Sequence, residues 1–147
     1  MNFCIYGLGA TGDSVVNYFK RKKFSRYVVW DDKIKKKKHQ KFFSKYLDYA
    51  DYIVLSPGIS LKKAKLKKKL IQNKHKIITD LDLLYLFNPK IKSIVVTGTN
   101  GKSTTCKILE HVFKKNKINV KLGGNIGKPV LDLNLNSEPL VIIEASS

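Results

Sequence analysis

The sequence predicts an α/β fold with parallel sheets, and three observations predict it. Short apolar segments alternate with helical stretches along the whole chain, which is the pattern of βαβ units. A glycine-rich turn, Gly7-Leu8-Gly9-Ala10-Thr11-Gly12, follows the first apolar segment at once. After Asn88-Pro89, the strongest break in the chain, the order of strand, glycine loop and helix begins again. Two domains are therefore expected, over residues 1–89 and 90–147.

Phe3 to Tyr6 reads as the first strand. The helix after the turn places Val15, Val16 and Phe19 on one face. It ends in Lys20-Arg21-Lys22-Lys23, cations that suit the negative end of the helix dipole. Tyr27 to Trp30 reads as strand two, closed by Asp31-Asp32, and Tyr52 to Leu55 as strand three, broken by Ser56-Pro57-Gly58. A lysine-coated helix is expected from Leu61 to Asn73, a strand at Ile77 to Thr79, and a short apolar helix at Leu81 to Phe87. Beyond the break come a strand at Ile94 to Val96 and a helix with Ile108, Leu109, Val112 and Phe113 on one side. Strands at Ile118 to Leu122 and Leu140 to Ile143 flank a second glycine-rich loop. One long helix cannot cover both faces of a parallel sheet, so the second domain reads as partial.

Composition narrows the class. Hydrophobic residues make up 43% of the 147 and charged residues 27%, which predicts a packed core. No apolar run approaches the ~20 residues that cross a bilayer, so no membrane insertion is expected. Met1 to Tyr6 has no basic lead and no cleavage site, so it reads as a strand and not as a secretory signal. Cys4 and Cys106 lack metal-ligand spacing and read as reduced thiols of a cytoplasmic protein. The net charge of +18 raises a polyanionic partner. Its lysines, however, are spread over Lys20 to Lys23, Lys33 to Lys38, Lys62 to Lys69 and Lys114 to Lys117, with few aromatics placed for stacking. A solvated surface is the better reading, and no nucleic acid is expected. His39, His75 and His111 have no partner spacing and read as surface residues.

Two loops carry chemistry. Gly7-Leu8-Gly9-Ala10-Thr11-Gly12 matches G-x-G-x-x-G between a strand and a helix, with Asp31 at the end of the next strand. Gly7 permits the turn, Gly9 lets a phosphate approach the backbone, and Gly12 allows close helix–strand packing. The helix N-terminus offers free N–H groups to an anion, and Asp31 is placed to accept from a ribose or a base. This is a Rossmann-like arrangement, and it does not specify the nucleotide. The second loop, Thr97-Gly98-Thr99-Asn100-Gly101-Lys102-Ser103-Thr104, also joins a strand to a helix. Its amides suit a triphosphate, Lys102 the outer phosphates, and the Ser103 hydroxyl a Mg²⁺ shell. Val96 stands where the common P-loop consensus has its first glycine. Glu144, at the end of an apolar strand, is a candidate Mg²⁺ ligand. Gly123-Gly124-Asn125-Ile126-Gly127 is either a binding loop or an ordinary turn. From the residues alone, an NAD(P)-binding regulatory or oxidoreductase domain and a basic nucleic-acid-binding NTPase module remain alternatives.

These two loops in this order, with Ser56-Pro57-Gly58-Ile59, Gly123-Gly124-Asn125-Ile126-Gly127 and Glu144-Ala145-Ser146-Ser147, resemble the Mur ligase family over essentially the whole chain. The resemblance is strongest to the members that add D-glutamate to UDP-N-acetylmuramoyl-L-alanine in peptidoglycan precursor synthesis. It implies a Rossmann-like UDP-substrate domain followed by the first part of a P-loop α/β ATPase domain. It also implies a cytoplasmic monomer that uses ATP and Mg²⁺. Gly9, Ala10, Thr11 and Gly12 would line the diphosphate. Asp31, Asp32 and Lys33 match the uracil-contacting segment, with Asp32 in place of a more usual Thr. Ser56, Pro57 and Gly58 would meet the uridine from the other side, and Asn125 the substrate near its phosphate or sugar. Gly98, Thr99, Asn100, Gly101, Lys102, Ser103 and Thr104 would bind ATP, Ser103 and Glu144 the metal, and Lys102 and Glu144 would serve catalysis. Members of the family continue past the position of Ser147 into further catalytic parts, so these 147 residues are not expected to catalyse ligation alone.

Overall fold

The structure, a computed structural model, describes residues 1–33 and 37–146, with the side chains of 37–40 excepted. The lysines expected on the surface between 34 and 38, His39 as a surface side chain, and Ser147 of the family motif lie outside what is described. The chain forms two compact units, Met1–Leu83 and Leu84–Ser147. The division falls inside a helix, ahead of the Asn88-Pro89 break.

In the first unit, β1 (Phe3–Tyr6) has four buried apolar side chains, as a strand covered on both faces requires. It lies between β2 (Tyr27–Trp30) and β3 (Tyr52–Leu55), and β3 pairs with β4 (Ile77–Ile78); the order is β2-β1-β3-β4, all parallel. Tyr6 is in register with both Trp30 and Leu55, so the three strands end level. The order reverses between β1 and β3, where ligands meet open α/β sheets beyond the strand C-termini.

Helix α1 (Ala10–Arg21) buries Val15, Tyr18 and Phe19, while Val16 is only half-buried. Phe19 meets Phe3, Phe24 and Tyr27 with ring centroids 5.0–5.2 Å apart. Helix α2 (Lys37–Tyr49) has no counterpart among the elements expected from the sequence. Its buried residues Phe43 and Leu47 recur at helical spacing and pack with Tyr6, Trp30 and Ile53. The exposed Phe42 and Tyr49 interrupt that stripe with apolar side chains on the solvent side, and so the helical period is blurred.

The helix expected over Leu61 to Asn73 is confined to α3 (Lys67–Gln72). The chain before it turns because Ala64 and Leu66 enter the core and the Lys65 amide is held by Asp32. β4 stops short of Thr79, which caps α4 (Asp80–Phe87). The Thr79 amide and hydroxyl each donate to Asp82 Oδ2 at 2.8 Å, and the Asp82 amide donates back to Thr79 Oγ1 at 3.2 Å, a reciprocal N-terminal cap.

The second unit carries β5 (Ser93–Val96), β6 (Val120–Gly124) and β7 (Leu140–Glu144) in the parallel order β5-β7-β6. Helix α5 (Lys102–Lys115) packs Cys106, Leu109 and Phe113 against Val120 and Ile142. The single apolar side expected of this helix is thus divided: Ile108 is 57% exposed and Val112 46%. Strand β6 starts later than expected because the end of α5 captures the chain. Lys117 takes a positive φ of 60°, and the Ile118 amide donates to the Phe113 carbonyl at 2.9 Å, so it has no role in a ladder. His75 and His111 are exposed, as expected. Cys4 and Cys106 are both buried and unpaired, and burial pushes the Cys4 thiol up to about 12. Among the described residues, no helix is long and apolar enough to cross a membrane.

Candidate functional site

The first glycine turn follows β1 directly, and α1 opens at Ala10 with no side-chain cap on its first amides. Those N–H groups point out of the helix end, where an anion can accept them. Gly9 and Ala10 are exposed and Thr11 half-buried. At Gly9 a side chain would meet no atom within 4 Å, so this side of the turn is open. At Gly12 a Cβ would stand 1.8 Å from the Gly7 carbonyl oxygen, so only glycine lets α1 sit this close to the turn.

Two neighbouring segments meet the turn at the level strand ends. Asp31 Oδ2 accepts the Leu8 amide and Oδ1 the Lys33 amide, both at 2.8 Å. These two backbone donors hold the Asp31 carboxyl below the usual carboxylate range. Ser56 is buried, and its hydroxyl donates to the Gly7 carbonyl at 3.0 Å, so it fastens the turn from the β3 side. Pro57, Gly58 and Lys33 are exposed. Asp32 does not face outward with Asp31; its carboxyl oxygens receive the Tyr6 hydroxyl at 2.6 Å and the Trp30 indole N–H at 3.0 Å. Gly9 to Gly12, Asp31 to Lys33 and Ser56 to Gly58 are thus gathered at one end of the first sheet. The Tyr6–Trp30–Lys65 partners of Asp32 are absent from the sequence reading. No local pattern signals a contact between residues 33 positions apart.

The pH dependence of this turn follows from Asp31. A carboxyl lowered in the folded state contributes stability above its ordinary value of 3.8, and that contribution disappears as pH falls through the lower folded value. Asp31→Asn should therefore be less stable than the unaltered chain near neutral pH. The difference should shrink in urea titrations as pH falls below the ordinary value and close below the lower folded value. A constant difference across that range would refute the assignment.

The second loop joins β5 to α5, with Gly98 and Gly101 both at positive φ, 139° and 77°. Gly101 caps α5 without a side-chain bond, so the helix again starts with free amides. Lys102 folds back over its own loop, and its ammonium donates to the Gly98 carbonyl at 2.5 Å and the Thr99 carbonyl at 3.4 Å. Thr99, Asn100, Ser103 and Thr104 are exposed. Ser103 Oγ donates to Glu144 Oε2 at 2.7 Å. The topology makes this contact, because Glu144 ends β7 in register with Val96 of β5 and Gly124 of β6. At Gly124, with φ 107°, a Cβ would stand 2.3 Å from the Glu144 carbonyl oxygen, so glycine permits the close approach. The Asn125 amide donates to the Glu144 carbonyl at 2.9 Å, and its side-chain Nδ2 donates to Ser146 Oγ at 2.8 Å. Lys102, Ser103, Glu144 and Asn125 therefore converge at one end of the second sheet.

The Ser103–Glu144 pair fits Mg²⁺. Both groups offer hard oxygens. Mg²⁺ is commonly held in this way, by one or two protein oxygens, with waters and phosphates completing the octahedron. Glu144→Gln retains an acceptor for Ser103 and should fold normally. It should remove most of the Mg²⁺ dependence of ATP binding in titrations with and without the metal; unchanged dependence would exclude Glu144 as a ligand.

Fold and site together define an α/β protein with two uncapped strand-to-helix glycine turns, one at the end of each parallel sheet. A family model described as Mur ligase MurD-like, N-terminal domain, matches residues 1–79. The UDP-N-acetylmuramoylalanine–D-glutamate ligase of Wolbachia pipientis wMel is 36% identical over 157 residues, covering 99% of this chain and 30% of that protein. The ligase of the same name from Aquifex aeolicus (strain VF5) is 34% identical, over 100% of this chain and 34% of its own length. A solved structure, UDP-N-acetylmuramate:L-alanyl-gamma-D-glutamyl-meso-diaminopimelate ligase from Neisseria meningitides, superposes with a TM-score of 0.53 at 19% identity. It covers 98% of this chain and 52% of that one, and shows the shared fold. The chain belongs to the MurD-like family of Mur ligases. It spans about a third of the length of the curated relatives it matches.

Proposed function

We propose that this chain supplies the UDP-substrate site and the ATP-phosphate loop of an enzyme that ligates D-glutamate to UDP-N-acetylmuramoyl-L-alanine in peptidoglycan precursor synthesis. The observation that carries the reading is the similarity to curated ligases of that name along the full chain, both glycine turns included. The first unit would take the uridine diphosphate against the α1 N-terminus, between Asp31–Lys33 and Ser56–Gly58. The second would take ATP phosphates on Gly98 to Thr104. The setting is cytoplasmic and the unit a monomer.

The reaction in this reading is amide formation driven by ATP. The alanyl carboxylate attacks the γ-phosphorus and ADP leaves, giving an acyl phosphate; the amine of D-glutamate then attacks the carbonyl carbon, and phosphate leaves. Lys102 would move from the Gly98 carbonyl to the phosphate oxygens, where its charge offsets the charge on the transferring group. Mg²⁺, held at Ser103 and Glu144, would neutralise phosphate oxygens.

Against the nicotinamide alternative stands the second loop, Thr97 to Thr104, which that reading leaves unexplained. Calorimetric titration with UDP-N-acetylmuramoyl-L-alanine, with NAD in parallel at moderate salt, tests the choice. The uridine nucleotide should bind and NAD should not; binding of NAD alone would overturn the ligase reading. A nucleic-acid module would instead show affinity for polyanions that collapses steeply as salt rises.

A further inference from the structure

The Asp32 carboxyl group is the hub of a hydrogen-bond network that closes over the mouth of β1. Its Oδ1 accepts the Tyr6 hydroxyl at 2.6 Å and the Trp30 indole N–H at 3.0 Å. Its Oδ2 accepts the Lys65 amide at 3.1 Å, and the Lys65 ammonium donates to the Asp32 carbonyl. The Leu66 amide donates to the Tyr6 hydroxyl at 3.3 Å. Tyr6 and Trp30 are 0% and 1% exposed, so water cannot replace a lost partner for either donor. The two rings are register neighbours at the ends of β1 and β2. Lys65 and Leu66 lie just beyond the Ser56-Pro57-Gly58 segment that leaves β3. One side chain therefore ties the end of β2 to the loop after β3, across the strand that carries the glycine turn.

We propose that Asp32 is a positioning residue for the nucleotide crevice: it sets the spacing between the Asp31–Lys33 and Ser56–Gly58 walls and does not itself take the base or ribose. Recognition at the end of β2 then falls to Asp31, Lys33 and the backbone. The proposal rests on the uridine reading of the first turn. A threonine at this position, with a single side-chain oxygen, could not hold the Tyr6–Trp30 pair and the Lys65 amide together. Tyr6 supplies the decisive contrast, because its hydroxyl belongs to the network and yet is too buried to touch a nucleotide.

The test uses the full chain with Asp32→Asn, Tyr6→Phe and both together, and UDP as the probe. Circular dichroism, with amide exchange in α1, establishes that each variant is folded. Amide exchange at Lys65 and Leu66 reads the network directly, and should accelerate about tenfold or more in D32N. Y6F should accelerate it at Leu66. Trp30, the single tryptophan of the chain, should shift its emission in D32N. UDP affinity should fall about tenfold in D32N and clearly in Y6F, with little further loss in the double variant. Full UDP affinity in Y6F beside a loss in D32N would overturn the proposal, because Asp32 would then touch the ligand itself. Unchanged exchange at Lys65 and Leu66 in both variants would overturn the network. An unaltered chain that fails to bind UDP would refute the uridine reading instead, and is distinguished from these by the exchange result.

Discussion

Gly12→Ala is expected to unfold the first unit or to lower its stability by about 3 kcal/mol or more. The added Cβ would sit 1.8 Å from the Gly7 carbonyl oxygen, 2.9 Å from its carbon and 3.3 Å from Ser56 Oγ. Both close neighbours are backbone atoms, so no rotamer change relieves the overlap. Either α1 lifts from β1, or the turn opens and releases Ser56 Oγ from the Gly7 carbonyl. For a domain of this size such a loss lowers the melting midpoint by more than ~12 °C. Gly9→Ala is the matched control. Gly9 has φ −93°, and a Cβ there meets nothing within 4 Å, so the fold should stand. The methyl group would occupy the side that a diphosphate approaches, and UDP binding should weaken with the melting midpoint kept. Thermal melts with UDP titrations separate the two outcomes. A G12A chain that melts like the unaltered protein would mean that the α1–turn contact is looser than the geometry states.

That contrast between Gly12 and Gly9 was legible in the sequence, because G-x-G-x-x-G assigns each glycine its task through local spacing. The strands were legible for the same kind of reason: Phe3 to Tyr6 and Tyr27 to Trp30 are short, apolar and bounded by turn residues. Helix α2 was not, since its buried Phe43 and Leu47 stand among exposed aromatic residues that hide the period. Ile108 and Val112 misled in the opposite direction; their spacing fits an apolar stripe, but Cys106, Leu109 and Phe113 are the residues that meet the sheet. At the site, Ser103 and Glu144 each carried a motif signal, whereas their contact depends on β7 lying beside β5, a matter of strand order. The inward turn of Asp32 was the least visible feature, because it depends on Lys65, a residue far along the chain with no motif of its own.

Lys102→Ala should lower Mg²⁺–ATP affinity about a hundredfold and leave the melting midpoint within about 1 °C. The ammonium donates to the Gly98 and Thr99 carbonyls, within the loop that would take the ATP phosphates in the proposed reading. This is a local contact between a half-buried lysine and its own loop. Its loss removes two hydrogen bonds within one loop, one part-buried and one exposed, and should cost little stability. With phosphate present, the same ammonium can swing through a small arc from a neutral carbonyl to an anionic oxygen, and the stronger partner wins. Truncation therefore acts on binding and hardly on folding, the reverse of Gly12→Ala. Arginine should not rescue the loss, because its planar fork cannot take the place of a compact point charge within so tight a turn. Calorimetric titration with Mg²⁺–ATP reads the effect. Affinity unchanged in the alanine variant would show that the phosphates do not lie in this loop, and the ATP reading of the second unit would fall with it.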